Sequence, residues 1–227
     1  YFLILYRKTK EAFAMEEVRW YFCIYFACVA LITWNLGSET GSLLERFHHA
    51  AFQAASVMTT TGYSTVDFNL WMPFAKGIML LLMFVGACAG STGGGIKVSR
   101  ILLYLKSVKN EMSSLIHPRS VKLVKLEGKV IDDVTIKSAF AYIAAYLVIF
   151  ILSLLIVSLD GFDFETNFSA VTATFNNIGP GLSSVGPMSN FSGYSILAKL
   201  VLSMDMLIGR LEIFPILLLF APSTWKK

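Results

Sequence analysis

Long apolar stretches alternate with short polar segments along this chain. Residues 18–36 and 134–159 are nearly uncharged, and each stretch is long enough to cross the ~30 Å hydrocarbon core of a bilayer as a helix. Residues 71–86 are also apolar until a glycine-rich segment interrupts them, and a basic helix-like stretch follows at 96–105. A last apolar stretch covers 192–220. The pattern predicts an all-α integral membrane protein.

Two shorter helix-like stretches, 43–58 and 166–175, each lie between two of the long ones. The first runs into the segment Thr59-Thr60-Thr61-Gly62-Tyr63-Ser64, and the second runs into Asn176-Asn177-Ile178-Gly179-Pro180-Gly181. Non-helical backbone at membrane depth is tolerated only where protein buries it or where it lines a watery cavity. The two glycine segments therefore predict re-entrant loops that line a pathway through the bilayer with backbone carbonyls.

The elements repeat in the order long helix, short helix, glycine segment, long helix. We therefore divide the chain into four parts: a cytoplasmic N-terminal segment 1–17, a first repeat 18–115, a cytoplasmic connection 116–133 and a second repeat 134–227. Thirty-one positions separate Gly62 from Gly93 in the first repeat and Gly179 from Arg210 in the second. The glycine-rich break and Arg210 are therefore expected at the same depth, facing the same pathway.

Charged residues are few and unevenly distributed, at 15% of the chain against about 25% in an average soluble domain. The net charge of +4 is too small and too scattered to indicate nucleic-acid binding. Basic residues fill 1–17, 106–137 and the C-terminus, whereas acidic residues dominate the other connections. The positive-inside rule then predicts that both termini and the lysine-rich connection are cytoplasmic, with both glycine segments nearer the outer face. A β-hairpin is expected at 126–129.

The glycine segments have the chemistry of a cation filter. A cation that leaves water needs oxygen ligands in place of its hydration shell. Extended backbone supplies carbonyls, glycine permits the turns that this requires, and Thr60 and Thr61 add hydroxyl oxygens. The short helices also direct their negative C-terminal ends at the ion. Either segment alone is more simply interpreted as an ordinary turn, but the pair at matching positions favours a filter.

The glycine-rich break reads Gly90-Ser91-Thr92-Gly93-Gly94-Gly95-Ile96-Lys97. A phosphate-binding loop needs a glycine directly before the lysine and a strand before the loop. Ile96 and the preceding apolar helix therefore disfavour phosphate binding. The remaining interpretations are a helix break that allows close packing and a flexible flap beneath the filter.

Arg210 lies inside an apolar stretch, where a charge is costly and is functional by default. Glu212 and Asp205 are two and five positions away, spacings that place them poorly for pairing on a helix. We therefore expect Arg210 to contact carbonyls of the break. The adjacent His48 and His49 diverge on a helix and cannot share a metal. The long apolar stretches contain no histidine that could serve as a base, so the sequence predicts no enzyme.

Four motifs, in this order along the chain, resemble the Trk/Ktr/HKT superfamily of potassium transporters, most closely its bacterial TrkH-like members: Thr60-Thr61-Gly62-Tyr63-Ser64, Gly90 to Lys97, Asn176 to Gly181, and Gly209-Arg210-Leu211-Glu212. The resemblance covers nearly the whole chain. It implies four units around one pore, each with an M1 helix, a pore helix and an M2 helix. It also implies K⁺ as the transported ion with no further cofactor, a homodimer in the bacterial inner membrane, and a cytosolic nucleotide-binding regulatory subunit.

The resemblance also assigns residues to a filter and a gate. The implied filter residues are Thr60, Thr61, Gly62, Tyr63, Asn177, Ile178, Gly179 and Pro180. K⁺ is expected at Thr61, Gly62, Ile178 and Gly179. The implied gate residues are Gly90, Ser91, Thr92, Gly93, Gly94, Gly95 and Lys97 in an intramembrane loop, with Arg210 beneath the filter.

The chain departs from this family by containing only the units that correspond to the third and fourth. Two units cannot close a four-walled filter, so either an N-terminal half is missing or two chains pair, and a start at Tyr1 favours the first. The sequence predicts K⁺ uptake down the electrochemical gradient. The alternatives are a Na⁺-permeable or Na⁺-coupled transporter and a non-conducting fragment that serves assembly. Similar sequences have a neutral amide side chain at the position of Asp205, so the carboxylate of Asp205 is expected to alter ion binding in the cavity.

Overall fold

The computed structural model describes residues 5–37, 41–117 and 123–219, most of which are helical. The helices in chain order are α1 (Thr9–Ala14), α2 (Glu16–Asn35), α3 (Leu43–Met58), α4 (Pro73–Phe84), α5 (Val98–Ile116), α6 (Asp133–Val157), α7 (Phe164–Phe175), α8 (Ile196–Leu211) and α9 (Ile213–Leu219). Short 3₁₀ turns cover Phe68–Leu70, Ser158–Asp160 and Ser183–Val185. The prediction of a helical protein is confirmed. The start of the chain, part of the lysine-rich connection and the basic C-terminus lie outside the described residues.

A hairpin connects α5 to α6. Its strands are β1 (Lys125–Leu126) and β2 (Lys129–Val130), which pair antiparallel. The two turn residues, Glu127 and Gly128, both have positive φ, as in the turns that suit two-residue hairpin loops. The hairpin expected at 126–129 is therefore confirmed.

Two helices in the described part of the chain are long and apolar enough to cross a membrane: α2, and α6 with the 3₁₀ turn that follows it. In the most apolar part of α6 only 28% of the residues are buried, whereas a core helix of a soluble protein is mostly buried. Leu147, Ile151 and Leu155 recur every four residues on one exposed face of α6. An apolar helix with such a face is suited to contact lipid.

The two short helices α3 and α7 begin with capping side chains. Ser42 and Glu45 form a reciprocal capping box at the start of α3. Asp163 caps α7 by accepting the backbone N–H and the hydroxyl of Thr166 at 3.1 and 2.5 Å. The hydrogen bond from that hydroxyl is the largest of the causes that lower the pKa of Asp163 below its ordinary value. The caps determine the residue at which each short helix begins.

The glycine-rich break lies between α4 and α5 and forms a closed loop. A short parallel bridge joins Val85 to Ile96 at its neck. There Gly86 donates to the Ile96 carbonyl at 2.9 Å, and Ile96 donates to the Phe84 carbonyl at 3.1 Å. The predicted helix interruption is present, and the two arms of the loop leave it side by side.

The last apolar stretch is not one continuous helix in its described part, which ends at 219. Helix α8 ends at Leu211, Glu212 has a φ of 64°, and α9 starts at Ile213. Pro215 explains the break, because a proline ring inside a continuous helix would clash with the carbonyl four residues earlier, which is that of Leu211. In the first turn of α9 the same proline is tolerated.

Two hydrophobic clusters form the core, one around α2, α3 and α4 and the other around α6, α7 and α8. Each cluster also includes residues from the part of the chain that forms the other cluster. Ile178 and Leu182, which follow α7, lie in the first cluster. Phe84 and Ile96, from the neck of the break, pack on the second. The second glycine segment therefore packs on the first cluster, and the neck of the break packs on the second.

Candidate functional site

The short helices α3 and α7 end in the same backbone motif. After α3, the amide of Thr60 donates to the carbonyl of Val57, and the amide of Thr61 donates to that of Ser56. Thr60 has a φ of 54°, and this pair of hydrogen bonds is the Schellman way of ending a helix.

The motif recurs 117 positions later in the chain. Asn177, with a φ of 56°, donates to Thr174, and Ile178 donates to Ala173. A glycine with positive φ follows two residues after the left-handed residue in both places, Gly62 at 77° and Gly179 at 110°. The two predicted filter segments thus leave their helices in the same way.

The two glycine segments contact each other. A Cβ placed on Gly62 would collide with the carbonyl oxygen of Ile178 and lie 3.3 Å from Pro180 Cδ. A Cβ placed on Gly179 would meet no atom of the described chain within 4 Å, so at that position only the backbone angle favours glycine. The structure therefore brings Gly62, Ile178 and Pro180 together.

Polar side chains on the short helices fix the segments. The Ser56 hydroxyl donates to the Tyr63 carbonyl at 2.5 Å, and fully buried Gln53 donates to Ser64 Oγ at 2.8 Å. In the second segment, Ser169 Oγ accepts the amide of Leu182 at 2.8 Å. Sequence reasoning missed these residues. The sequence feature that could have identified them is the spacing of polar residues on the buried face of a short helix. Gln53 and Ser56, for example, are three positions apart.

The glycine-rich break packs against the end of α7. A Cβ on Gly94 would collide with the carbonyl oxygen of Asn176, and one on Gly209 in α8 would collide with that of Phe175. Asn176 is fully buried, and its side chain accepts the hydroxyl of Tyr146 at 3.0 Å. The end of α7 is thus wedged between the break and α8, which only glycine at both positions allows.

Lys97 holds the break together from within. Its ammonium group donates to the carbonyls of Ser91 and Gly93 at 2.9 and 2.6 Å and to the Ser91 hydroxyl at 3.2 Å, and the residue is buried. These contacts fold the loop around the lysine. The ammonium group is therefore bonded to the loop itself.

Arg210 reaches the break from α8. Its guanidinium donates to the carbonyl of Thr92. Glu212 pairs instead with Arg100 at 2.7 Å. Asp205 is 1% exposed and accepts the Ser153 hydroxyl at 2.7 Å, so it faces α6 within this chain. Among the described residues, neither acid is bonded to Arg210, as the helix spacing predicts.

A polar cavity of about 260 Å³ lies between the break, α5 and the end of α8. Its charged lining residues are Lys97, Arg100, Arg210 and Glu212. Three cationic groups and one carboxylate give this cavity a positive balance within the described chain. Most of the predicted gate residues line it, namely Ser91, Thr92, Gly93, Gly95, Lys97 and Arg210.

Long helices with exposed apolar faces, together with non-helical glycine segments that pack against each other, define a helical membrane protein of the transport class. Comparison with known proteins identifies the family. The chain belongs to the TrkH family of cation transport proteins, whose model matches residues 29–227. This is a family of transporters and not of enzymes.

The chain is similar to several potassium uptake proteins. Over 223 residues it is 36% identical to the Trk system potassium uptake protein TrkH of Escherichia coli, covering 97% of this chain and 46% of that protein. Over 184 residues it is 40% identical to the TrkH of Halomonas elongata, covering 81% of this chain and 38% of that protein.

A solved structure shares the fold. The crystal structure of the potassium transporter TrkH from Vibrio parahaemolyticus matches with a TM-score of 0.84 and 36% sequence identity, over 92% of this chain and 45% of that one. The chain therefore spans less than half the length of these relatives.

Proposed function

We propose that this chain is the second half of a K⁺ uptake protein, and that an N-terminal half supplies the other two walls of the pore. Its relatives are named potassium uptake proteins, and the chain covers less than half of their length. The observation that carries the proposal is the contact of Gly62 with the Ile178 carbonyl. Two glycine segments that touch, each at the end of a short helix, suit neighbouring walls of one carbonyl-lined filter.

In this proposal K⁺ binds at the level of Thr61, Gly62, Ile178 and Gly179. The carbonyls and hydroxyls of the two segments replace water, and the C-terminal ends of α3 and α7 add negative potential. The hydrogen bond from Ser56 to the Tyr63 carbonyl supports a filter whose backbone is fixed before the ion arrives. A fixed backbone suits a filter that selects the cation whose radius matches the site.

The break and Arg210 form the gate of this proposal. The loop is tied at its neck, braced by Lys97 and held to Arg210 through Thr92. The positive balance of the cavity beside it opposes a cation. Conduction then requires the loop to leave Arg210, while the filter stays in place.

The same proposal assigns the repeats. One unit comprises α2, α3, α4 and α5, and the next comprises α6, α7, α8 and α9, divided as 18–115 and 134–227. The recurrence of the helix-ending motif in α3 and α7 supports this division. The assembly is a homodimer in the bacterial inner membrane, joined on its cytoplasmic side by a nucleotide-binding regulatory subunit.

Rubidium uptake tests the transport function. The full-length protein that contains this chain is expected to load vesicles with ⁸⁶Rb⁺ down an imposed gradient, because Rb⁺ fits the oxygen ligands of a K⁺ site. Competition by K⁺ that exceeds competition by Na⁺ supports a K⁺ filter, and equal competition supports the Na⁺-permeable alternative. This chain alone is the matched control and should be silent, since two walls do not enclose a pore. Uptake equal to that of empty vesicles would favour a non-conducting assembly function.

Thiol labelling tests the orientation. Ser120, in the connection expected on the cytoplasmic side, lies outside the described residues, so we choose Lys129, exposed at the start of β2, as the cytoplasmic position for a cysteine. Asp163, on the side expected to face outward, caps α7, so we choose exposed Met188 in the loop before α8 as the outer position for a cysteine. An impermeant thiol reagent is expected to modify Lys129→Cys only from the cytoplasm and Met188→Cys only from outside. The opposite sidedness would reverse the topology and the cytoplasmic docking of a regulatory subunit.

A further inference from the structure

Glu17, near the start of α2, binds both ends of the glycine-rich break. Its Oε1 atom accepts the backbone amide of Ala89 at 2.7 Å and that of Ser99 at 3.0 Å. Ala89 precedes the glycine run and Ser99 lies in the first turn of α5, so one carboxylate oxygen bridges the loop that separates them. Glu17 is buried, at 7% exposure.

The carboxylate completes the start of α5. In the described structure the N-cap residue of α5, Lys97, forms no side-chain cap, because an ammonium group has no acceptor atom for a backbone N–H. The amides of a first helical turn need an acceptor, and a negative charge there is favourable because of the helix dipole. Glu17, from α2, supplies both the acceptor and the negative charge. A buried carboxylate is costly unless it is hydrogen-bonded, so the two amide donors and the carboxylate stabilise each other.

The neighbouring acid, Glu16, makes a different contact. Glu16 pairs with Lys106 of α5 at 2.6 Å, so the start of α2 is attached to α5 at a second point. Glu16 forms no hydrogen bond to the break in the described part of the chain. The two adjacent acids therefore bind different groups. Glu16 pairs with a lysine further along α5, and Glu17 binds the two ends of the loop.

We infer that Glu17 is a positioning residue of the gate, which holds the two ends of the break at a fixed separation and so keeps Thr92 in reach of Arg210. The inference rests on the proposed gate. For the loop to move away from Arg210, the arm that contains Ala89 has to leave the carboxylate, while Ser99 stays with α5. Glu17 thereby sets the balance between the obstructing and the open position of the loop.

Hydrogen exchange and ion leak in the full-length protein test this inference. Glu17→Ala is expected to speed amide exchange in a peptide covering 85–99 and to raise the resting ⁸⁶Rb⁺ leak. Each change should be on the order of tenfold, the effect of losing a hydrogen bond to a charged group. Discrimination between K⁺ and Na⁺ should stay unchanged, because Glu17 does not contact the filter segments. Glu17→Gln retains an acceptor oxygen and should give intermediate values in both measurements.

Glu16→Gln is the matched control and should leave exchange at 85–99 and the leak as in the unaltered protein. Exchange and leak that are unchanged in folded Glu17→Ala would overturn the inference. If Glu17→Ala does not fold, unchanged exchange and leak in Glu17→Gln overturn it equally. Failure of the unaltered protein to transport Rb⁺ would overturn the proposed function instead, and the exchange measurement then decides the role of Glu17 by itself.

Discussion

Alanine at position 210 is expected to raise the resting K⁺ flux of the assembled protein. Arg210→Ala removes the hydrogen bond to the Thr92 carbonyl, which holds the break across the proposed pathway. It also removes a positive charge from a cavity whose balance is already positive. At a separation of ~8 Å and an effective dielectric constant of ~20, one charge contributes a barrier of roughly 2 kcal/mol to a passing cation. A barrier lowered by that amount corresponds to a flux about thirtyfold higher, measurable as ⁸⁶Rb⁺ leak or open probability.

Two variants separate the contact from the charge. Arg210→Lys keeps the charge but loses the planar guanidinium, so an intermediate flux is expected if both contribute. Lys199→Ala removes a cation from the other end of α8, where the side chain bonds the Ser192 carbonyl, and should leave the flux unchanged. Shortening the loop within 90–95 should raise the flux with Arg210 intact. If Arg210→Ala and the shortened loop have the same open probability and conductance as the unaltered protein, neither Arg210 nor the break belongs to the gate.

The elements that local chemistry determines could be predicted from the sequence. The start of α3 at Leu43 follows from the capping serine, Ser42, and the hairpin at 126–129 follows from its turn residues. The position of Arg210 opposite the break follows from counting positions within two repeats, since equal spacing along helices gives equal depth. Each of these predictions depends on neighbours in sequence or on a regular period.

Contacts between distant segments could not be predicted in the same way. Glu17 lies 72 positions from Ala89, and its acidic neighbour Glu16 looks equivalent in the sequence. The helix break at Glu212 was missed because hydropathy alone joins α8 to α9, although Pro215 carried the signal. The expectation that Asp205 alters ion binding remains a prediction. In the described structure its carboxylate accepts a hydrogen bond from Ser153 of α6.

Serine in place of Gly62 is expected to reduce the discrimination between K⁺ and Na⁺. Gly62 has a φ of 77°, where an L residue pays roughly 1–2 kcal/mol, and its new Cβ would collide with the Ile178 carbonyl oxygen. Relief of the collision has to move one of the two segments, and with it a carbonyl proposed to bind the ion. Because both segments shift relative to each other, the K⁺/Na⁺ permeability ratio should fall about tenfold, the effect of some 1.4 kcal/mol in relative affinity. Reversal potentials with K⁺ and Na⁺ on opposite sides of the membrane measure this ratio.

Other glycines of the chain provide the comparison. Gly179→Ser should lower the ratio less than Gly62→Ser, because its φ of 110° is strained for serine but its Cβ meets no atom of the described chain within 4 Å. Gly77→Ser, inside α4, adds the same side chain where no atom lies within 4 Å and φ is not positive, so the ratio should remain unchanged. This order follows from the contact between the two glycine segments. A permeability ratio that is the same in all three variants and in the unaltered protein would show that these segments do not select the ion, even if K⁺ uptake itself is intact.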